Sequence, residues 1–296
     1  MNLYTHIDEN KRRTVFIMIF FVIFVMGLGW TLSYVYGNSL FFVIALVVVI
    51  VQTTISYYAG DKIALSASGA VQIQKKDNPL LWNLVENLAI TAGLPMPKVY
   101  IINDPAPNAF ATGRDPSRSS VAVTTGLLEQ LDKSEIEGVV AHEMSHIGNY
   151  DICLMMVVSV LVGVVALLAD LVWRFQFFFG GRRDNDNNSG GGIMALIGIV
   201  AIILAPIVAM IVQLAISRKR EYLADASGAL LTRYPEGLAS ALEKIGSYKE
   251  PMQNISTSTS HLFIGDPNGK STSFFANLFS THPPIEERVK ILRGMK

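Results

Sequence analysis

Residues 139–151 read VVAHEMSHIGNYD, with two histidines four positions apart around a glutamate. On an α-helix, residues i and i+4 share a face, so His142 and His146 can aim imidazole nitrogens at one ion. Glu143 is rotated by one position, near that ion yet free to act on a water. A helix that merely exposes two histidines would carry the same letters, so context has to separate the readings. A hydrolytic zinc ion needs three protein ligands and an open fourth position. A third histidine six residues after the second would fall at 152, with glycine at 149. The chain has Ile152 and Asn149 there, which removes that arrangement. His6, His261, His282 and distant carboxylates remain. Glu221 and Asp225, in REYLAD, stand four apart on one helical face. Glu221 can ligate while Asp225 reaches the outer nitrogen of a ligating histidine. A solvated helix face with an Arg220–Glu221 pair is the plain alternative.

The elements that must hold these residues are unusually apolar. Of 296 residues, 51% are hydrophobic and 16% charged, against about 25% charged in a soluble domain. The deficit sits in four blocks: 14–36, 40–59, 152–179 and 193–216. Each approaches or exceeds the roughly 20 residues that cross a bilayer as a helix. The first is too long for a signal peptide and lacks a small-residue cleavage site. Lysines and arginines flank the first, second and fourth blocks at Lys11–Arg13, Lys62, Lys75, Lys76 and Arg218–Arg220. The loop 180–192 has Arg182 and Arg183 offset by aspartates. The positive-inside rule then puts both termini and the polar regions in the cytoplasm. Zero net charge argues against a nucleic-acid partner. The single cysteine, Cys153, lies in an apolar run and reads as a buried, inert thiol.

Two polar regions remain, 61–151 and 217–296. In the first, Asn78, Pro79 and Gly93 bracket a helix as N-cap, first residue and stop. KVYII and SSVAVTT predict short strands, and NDPAPNAFATGRDPSR between them predicts a loop or irregular edge. Ser134 and Glu137 have capping-box spacing at the start of the HEMSH helix. The second region opens with the helical SRKREYLADASGALL, passes a polar loop at 251–273 and closes with a helix over 284–292. Because blocks three and four form an even-numbered hairpin, HEMSH and REYLAD must emerge on the same side of the membrane. That parity lets Glu221 reach His142 and His146 across a long stretch of sequence.

HEMSH, the Glu-x-x-x-Asp of REYLAD, PNAFATG and THPP together resemble the membrane zinc metallopeptidases that include the CaaX prenyl protease. The resemblance covers essentially the whole chain. It implies a multi-pass α-helical membrane protein with four transmembrane helices. Its cytoplasmic part would be an α+β zincin-type (gluzincin) metalloprotease domain. It implies one Zn2+ held by His142, His146 and Glu221, Glu143 as catalytic base, and Asp225 behind a histidine. His282 and Arg288 match positions used near the oxyanion; a turn histidine and a surface arginine are the plain readings. Asn108 and Ala109 match an edge against which a peptide substrate is laid as an added strand. The implied role is proteolytic quality control of misfolded or damaged membrane proteins at the cell membrane. Three rivals are weighed. A channel would place ionisable residues within the spans, which hold few. A structural-zinc scaffold leaves Glu143 unexplained. A dedicated prenyl-peptide protease is disfavoured by the short chain.

Overall fold

Two long helices open the chain, α1 (Leu3–Tyr36) and α2 (Leu40–Ala67), joined by a tight turn in which Gly37 has φ 62°. Within them Asp8–Thr31 and Leu40–Ala67 are long and apolar enough to cross a membrane. Large side chains such as Phe16, Ile23, Val47 and Ile50 point outward from this pair, a surface that only a non-aqueous environment would satisfy. The structure, a computed structural model, describes residues 3–161, 218–253, 259–267 and 283–295. The expected third span enters this range only by its first turns, and the fourth, with His282, lies outside the described residues.

Both hairpin helices overrun the predicted spans of 14–36 and 40–59. The polar region expected from 61 therefore begins inside α2. The cause is packing: Ala64 and Leu65 continue the helix into an apolar cluster under the sheet. Gly69, at φ 65°, then turns the chain into β1 (Ala70–Gln72).

The sheet has order β1-β2-β4-β3, with β2 at Lys98–Ile102, β3 at Ala109–Gly113 and β4 at Ser119–Thr124. β2 and β4 run parallel; β1 and β3 are antiparallel to their neighbours. Side chains alternate between two covered faces. Val99, Val121, Val123, Ala109 and Ala111 join one cluster with α3 (Pro79–Ala92) and α5 (Lys133–Gly148). Ile102, Ala122 and Phe110 join another with the end of α2, Met155 and Phe263. β3 falls where an irregular edge was expected. Proline, asparagine and glycine hide it in the sequence, yet Ala109↔Val123 pairing is regular. A short α4 (Thr125–Gln130) follows β4.

α3 has the predicted ends: Asn78 accepts from Leu81 N, and Gly93 closes the helix at φ 65°. The capping box of α5 is instead Asp132 with Glu135, two residues before the expected Ser134–Glu137. Asp132 Oδ1 accepts from Glu135 N at 3.0 Å, and Glu135 Oε2 accepts from Asp132 N at 2.8 Å. After α5 the chain bends by 86° into α6 (Asp151–Leu161). The bend passes through Tyr150 in the left-handed region, φ 62°. Leu154, Met156, Val157 and Leu161 of α6 pack on Ile17 and Phe21 of α1 and Val49 of α2. The chain is described again from α7 (Arg218–Thr232), followed by α8 (Pro235–Ser247), which the sequence reading did not foresee, and α9 (Ile285–Arg293).

Candidate metal centre

α5 carries His142, Glu143 and His146 through the middle of the molecule, all buried. The i, i+4 spacing does what helix geometry requires: the two Nε2 atoms face each other at 3.2 Å. α7 crosses α5 beside them. Gly228 permits the approach, since a Cβ there would stand 3.0 Å from His142 N. Glu221, Asp225 and Gly228 share one face of α7 at i, i+4 and i+7. Glu221 Oε1 lies 3.6 Å from His146 Nε2, and Oε2 lies 3.8 Å from His142 Nε2. Donor atoms of His142, His146 and Glu221 all fall within 4.8 Å of one another.

Each imidazole has a carboxylate behind it. Asp225 Oδ1 is 2.9 Å from His142 Nδ1, the contact anticipated from the sequence. Asp151 Oδ2 is 2.9 Å from His146 Nδ1, a contact the sequence reading missed. Asp151 is the first residue of α6, so only the bend makes it a neighbour of His146. Arg288, from α9, is fully buried rather than a surface arginine. Its Nε and Nη2 donate to the two Asp225 oxygens at 2.8 and 2.7 Å, a bidentate pair. Its Nη1 lies 3.8 Å from Glu221 Oε2.

The donor set fits a divalent cation on two counts. Two ligands of a tetrahedral zinc, each roughly 2.0–2.1 Å from the ion, stand about 3.3 Å apart, close to the separation of the Nε2 atoms. Four buried carboxylates (Glu143, Asp151, Glu221 and Asp225) meet two buried guanidinium groups, Arg220 and Arg288. With neutral imidazoles the surplus is two negative charges, which a divalent ion would balance. The same surplus acts on His146. Burial opposes its protonation, but the Asp151 hydrogen bond and the charges of Glu221, Asp151 and Glu143 push its pKa up to about 9.

Asn108 and Ala109, at the start of β3, are buried. Their groups already have partners in the chain. Asn108 Nδ2 donates to Gly265 O at 3.1 Å, and its Oδ1 accepts from Gly265 N at 3.0 Å. Ala109 O accepts from Ile264 N at 3.0 Å. His261, weighed earlier as a possible ligand, is instead beside Ser159 Oγ at 3.1 Å, against α6.

Known proteins share this framework. The description "Peptidase family M48" matches residues 75–296. A Protease HtpX homolog of Tropheryma whipplei (strain TW08/27) is 48% identical over 293 residues, covering 99% of this chain and 98% of that protein. A Protease HtpX homolog of Caldanaerobacter subterraneus subsp. tengcongensis is 47% identical over 296 residues, with 99% and 98% covered. The crystal structure of S. mikatae Ste24p aligns with a TM-score of 0.52 over 90% of this chain. This chain spans 62% of that structure's length, and at 19% identity the likeness is one of fold alone.

Proposed function

From its membership in peptidase family M48, to which the chain belongs, we propose a zinc endopeptidase that cuts misfolded or damaged membrane proteins at the cell membrane. The chain is a metalloprotease with a metal cofactor and polypeptide substrates. His142, His146 and Glu221 hold the ion in this reading, carried chiefly by the convergence of their buried donor atoms within 4.8 Å. When bound, zinc polarises a substrate carbonyl and lowers the pKa of water toward ~7.

The remaining steps belong to side chains. Glu143 takes a proton from the attacking water on its carboxylate and returns it to the leaving amine nitrogen. Asp225 Oδ1, 2.9 Å from His142 Nδ1, draws that nitrogen's proton toward itself and so leaves Nε2 to face the ion. Arg288 holds Asp225 through Nε and Nη2, and its Nη1, without a hydrogen-bond partner among the described residues, is assigned to the oxyanion. His282, on the THPP match, is assigned to stabilising the oxyanion. Asn108 and Ala109 begin the edge on which an extended peptide lies, with Ile264 and Gly265 as the segment it would replace there. Four spans, with termini and active site on the cytoplasmic side, complete the proposal. It is supported by the two apolar helices and by the start of α6 standing beside the start of α7, with Arg220 Nε 3.8 Å from Asp151 Oδ1.

Zinc content and cleavage of an unfolded test protein, measured together, test this reading. Glu143→Ala should keep stoichiometric zinc and lose cleavage, whereas Glu221→Ala should lose most zinc because two histidines make a poor site. Full turnover by Glu143→Ala, or full zinc in Glu221→Ala, would overturn it.

A further inference from the structure

Asp151 raises a question that the catalytic proposal leaves open: what holds the carboxylate that holds His146? The first residue of a helix after an 86° bend is poorly placed to be rigid by itself. Tyr150 adds to the difficulty, since a left-handed conformation costs a non-glycine residue about 1–2 kcal/mol. Support comes from the opposite end of the chain. Asn10, in the first turns of α1, is 5% exposed although it sits among Asp8, Glu9, Lys11 and Arg12. Its Nδ2 donates to Asp151 Oδ1 at 2.6 Å and to Asn149 O at 3.0 Å. Its Oδ1 accepts from Arg220 Nη1 at 3.3 Å. These three partners fix the orientation of the amide. Turning it over would aim an oxygen at a carboxylate and a carbonyl, and an N–H2 at a guanidinium.

The neighbours of Asn10 grip the same corner. Lys11 Nζ lies 4.3 Å from the centre of the Tyr150 ring, a cation–π contact on the left-handed residue itself. Thr14 Oγ1 donates to Asn10 O at 2.9 Å. Arg220, one residue before Glu221, has its Nε 3.8 Å from Asp151 Oδ1. An unbroken buried path therefore runs from Asn10 through Asp151 Oδ1 and Oδ2 to His146 Nδ1.

We propose that Asn10 is a positioning residue of the metal centre, holding Asp151 so that Asp151 orients His146, and that the first apolar helix is thereby part of the site. This rests on His146 being a metal ligand. A carboxylate free to rotate would lose its alignment with Nδ1–H, and the imidazole would lose basicity and direction. A purely mechanical role for Asn10, docking α1 onto the bend, would affect folding and leave the ion alone.

Full-length protein in detergent separates the two. Zinc affinity is measured by chelator competition, the ligand field by the visible spectrum of the Co2+-substituted protein, and the fold by the thermal midpoint of the metal-free protein. Asn10→Ala, and the equal-sized Asn10→Asp, should weaken zinc binding about 10-fold, the lower end for partners of ligating histidines, and shift the cobalt bands. Asp151→Ala should do more, and adding Asn10→Ala to it should do nothing further to zinc, because Asn10 acts through Asp151. Unchanged zinc affinity and cobalt bands in both Asn10 variants would overturn the proposal, whatever their thermal midpoint, as would additive losses in the double variant. His146→Ala is the control. Retained zinc in that variant would remove the ligand assignment itself, a failure distinct from wild-type affinity in the Asn10 variants.

Discussion

The two histidines sit one turn apart on the same helix, yet they are held in different ways. Behind His142, Asp225 is clamped by two parallel hydrogen bonds from Arg288, all within α5, α7 and α9. Behind His146, Asp151 receives a neutral amide from α1, and its nearest guanidinium stands off at 3.8 Å. Burial works against both guanidinium charges. At Arg288 the Asp225 hydrogen bonds and the charges of Asp225, Glu221 and Glu143 overcome it, and its pKa rises. At Arg220 burial wins over Asp151 and Glu221, and its pKa falls. Arg220 Nη2 has no hydrogen-bond partner among the described residues, and neither have Arg288 Nη1 and His142 Nδ1 on the other side. The first holder is a charge-assisted unit of the protease region; the second is a junction between that region and a membrane helix. The holder of His146 therefore depends on a helix outside the protease region, and the holder of His142 does not.

Removing Asp225 should produce the largest effect. Asp225→Ala leaves Arg288 buried without its main partner, a loss of about 3–5 kcal/mol in stability, on top of weaker zinc. Denaturant unfolding of the metal-free protein checks this. Asp151→Ala should come next, with zinc affinity down ~10–100-fold and a clearly smaller stability loss. Equal unfolding penalties for the two would erase the distinction between the holders. The smallest effect should come from α5's distant start, where both histidines are affected alike. Burial opposes ionisation of Glu135, but Lys244 at 2.6 Å, Ser240 and the Asp132 N–H outweigh it and lower its pKa below 4.5. A folded-state pKa below the unfolded one stabilises the fold above that range and is lost as pH falls through it. Glu135→Gln should therefore flatten the acid side of a thermal-midpoint profile taken between about pH 6 and 3. It should leave the ratio of the two holders' zinc effects unchanged.

The legible parts of this molecule were those with local periodicity or a counting rule. His142 and His146 follow from helical spacing, and Glu221 from an even number of expected crossings. α3 is bracketed by residues with one conformational use each, Asn78, Pro79 and Gly93. What escaped was non-local or chemically disguised. Asn10 lies 141 positions from Asp151, and nothing in NKRR distinguishes its buried amide from the exposed charges beside it. Arg288 stood as an oxyanion candidate with a surface arginine as the plain alternative; its bidentate hold on Asp225 was not foreseen, although Val289 and Leu292 mark the buried stripe of α9. β3 was masked by turn-forming residues around a strand whose partner, β4, decides its conformation. The capping box was displaced because two acid-containing frames overlap, and Asp132 rather than Ser134 has the extended backbone of an N-cap.

The occupied edge at β3 has a thermodynamic consequence. Ala109 O is outward-facing on a strand paired on one side only, and Ile264 N already satisfies it. Phe263, beside it, is fully buried against Phe110. A polypeptide that takes this carbonyl exchanges one hydrogen bond for another and gains little from the exchange itself. Under the proposed reading its affinity would come from its side chains and from the ion, with the Ile264–Ala109 hydrogen bond as the threshold it has to pass.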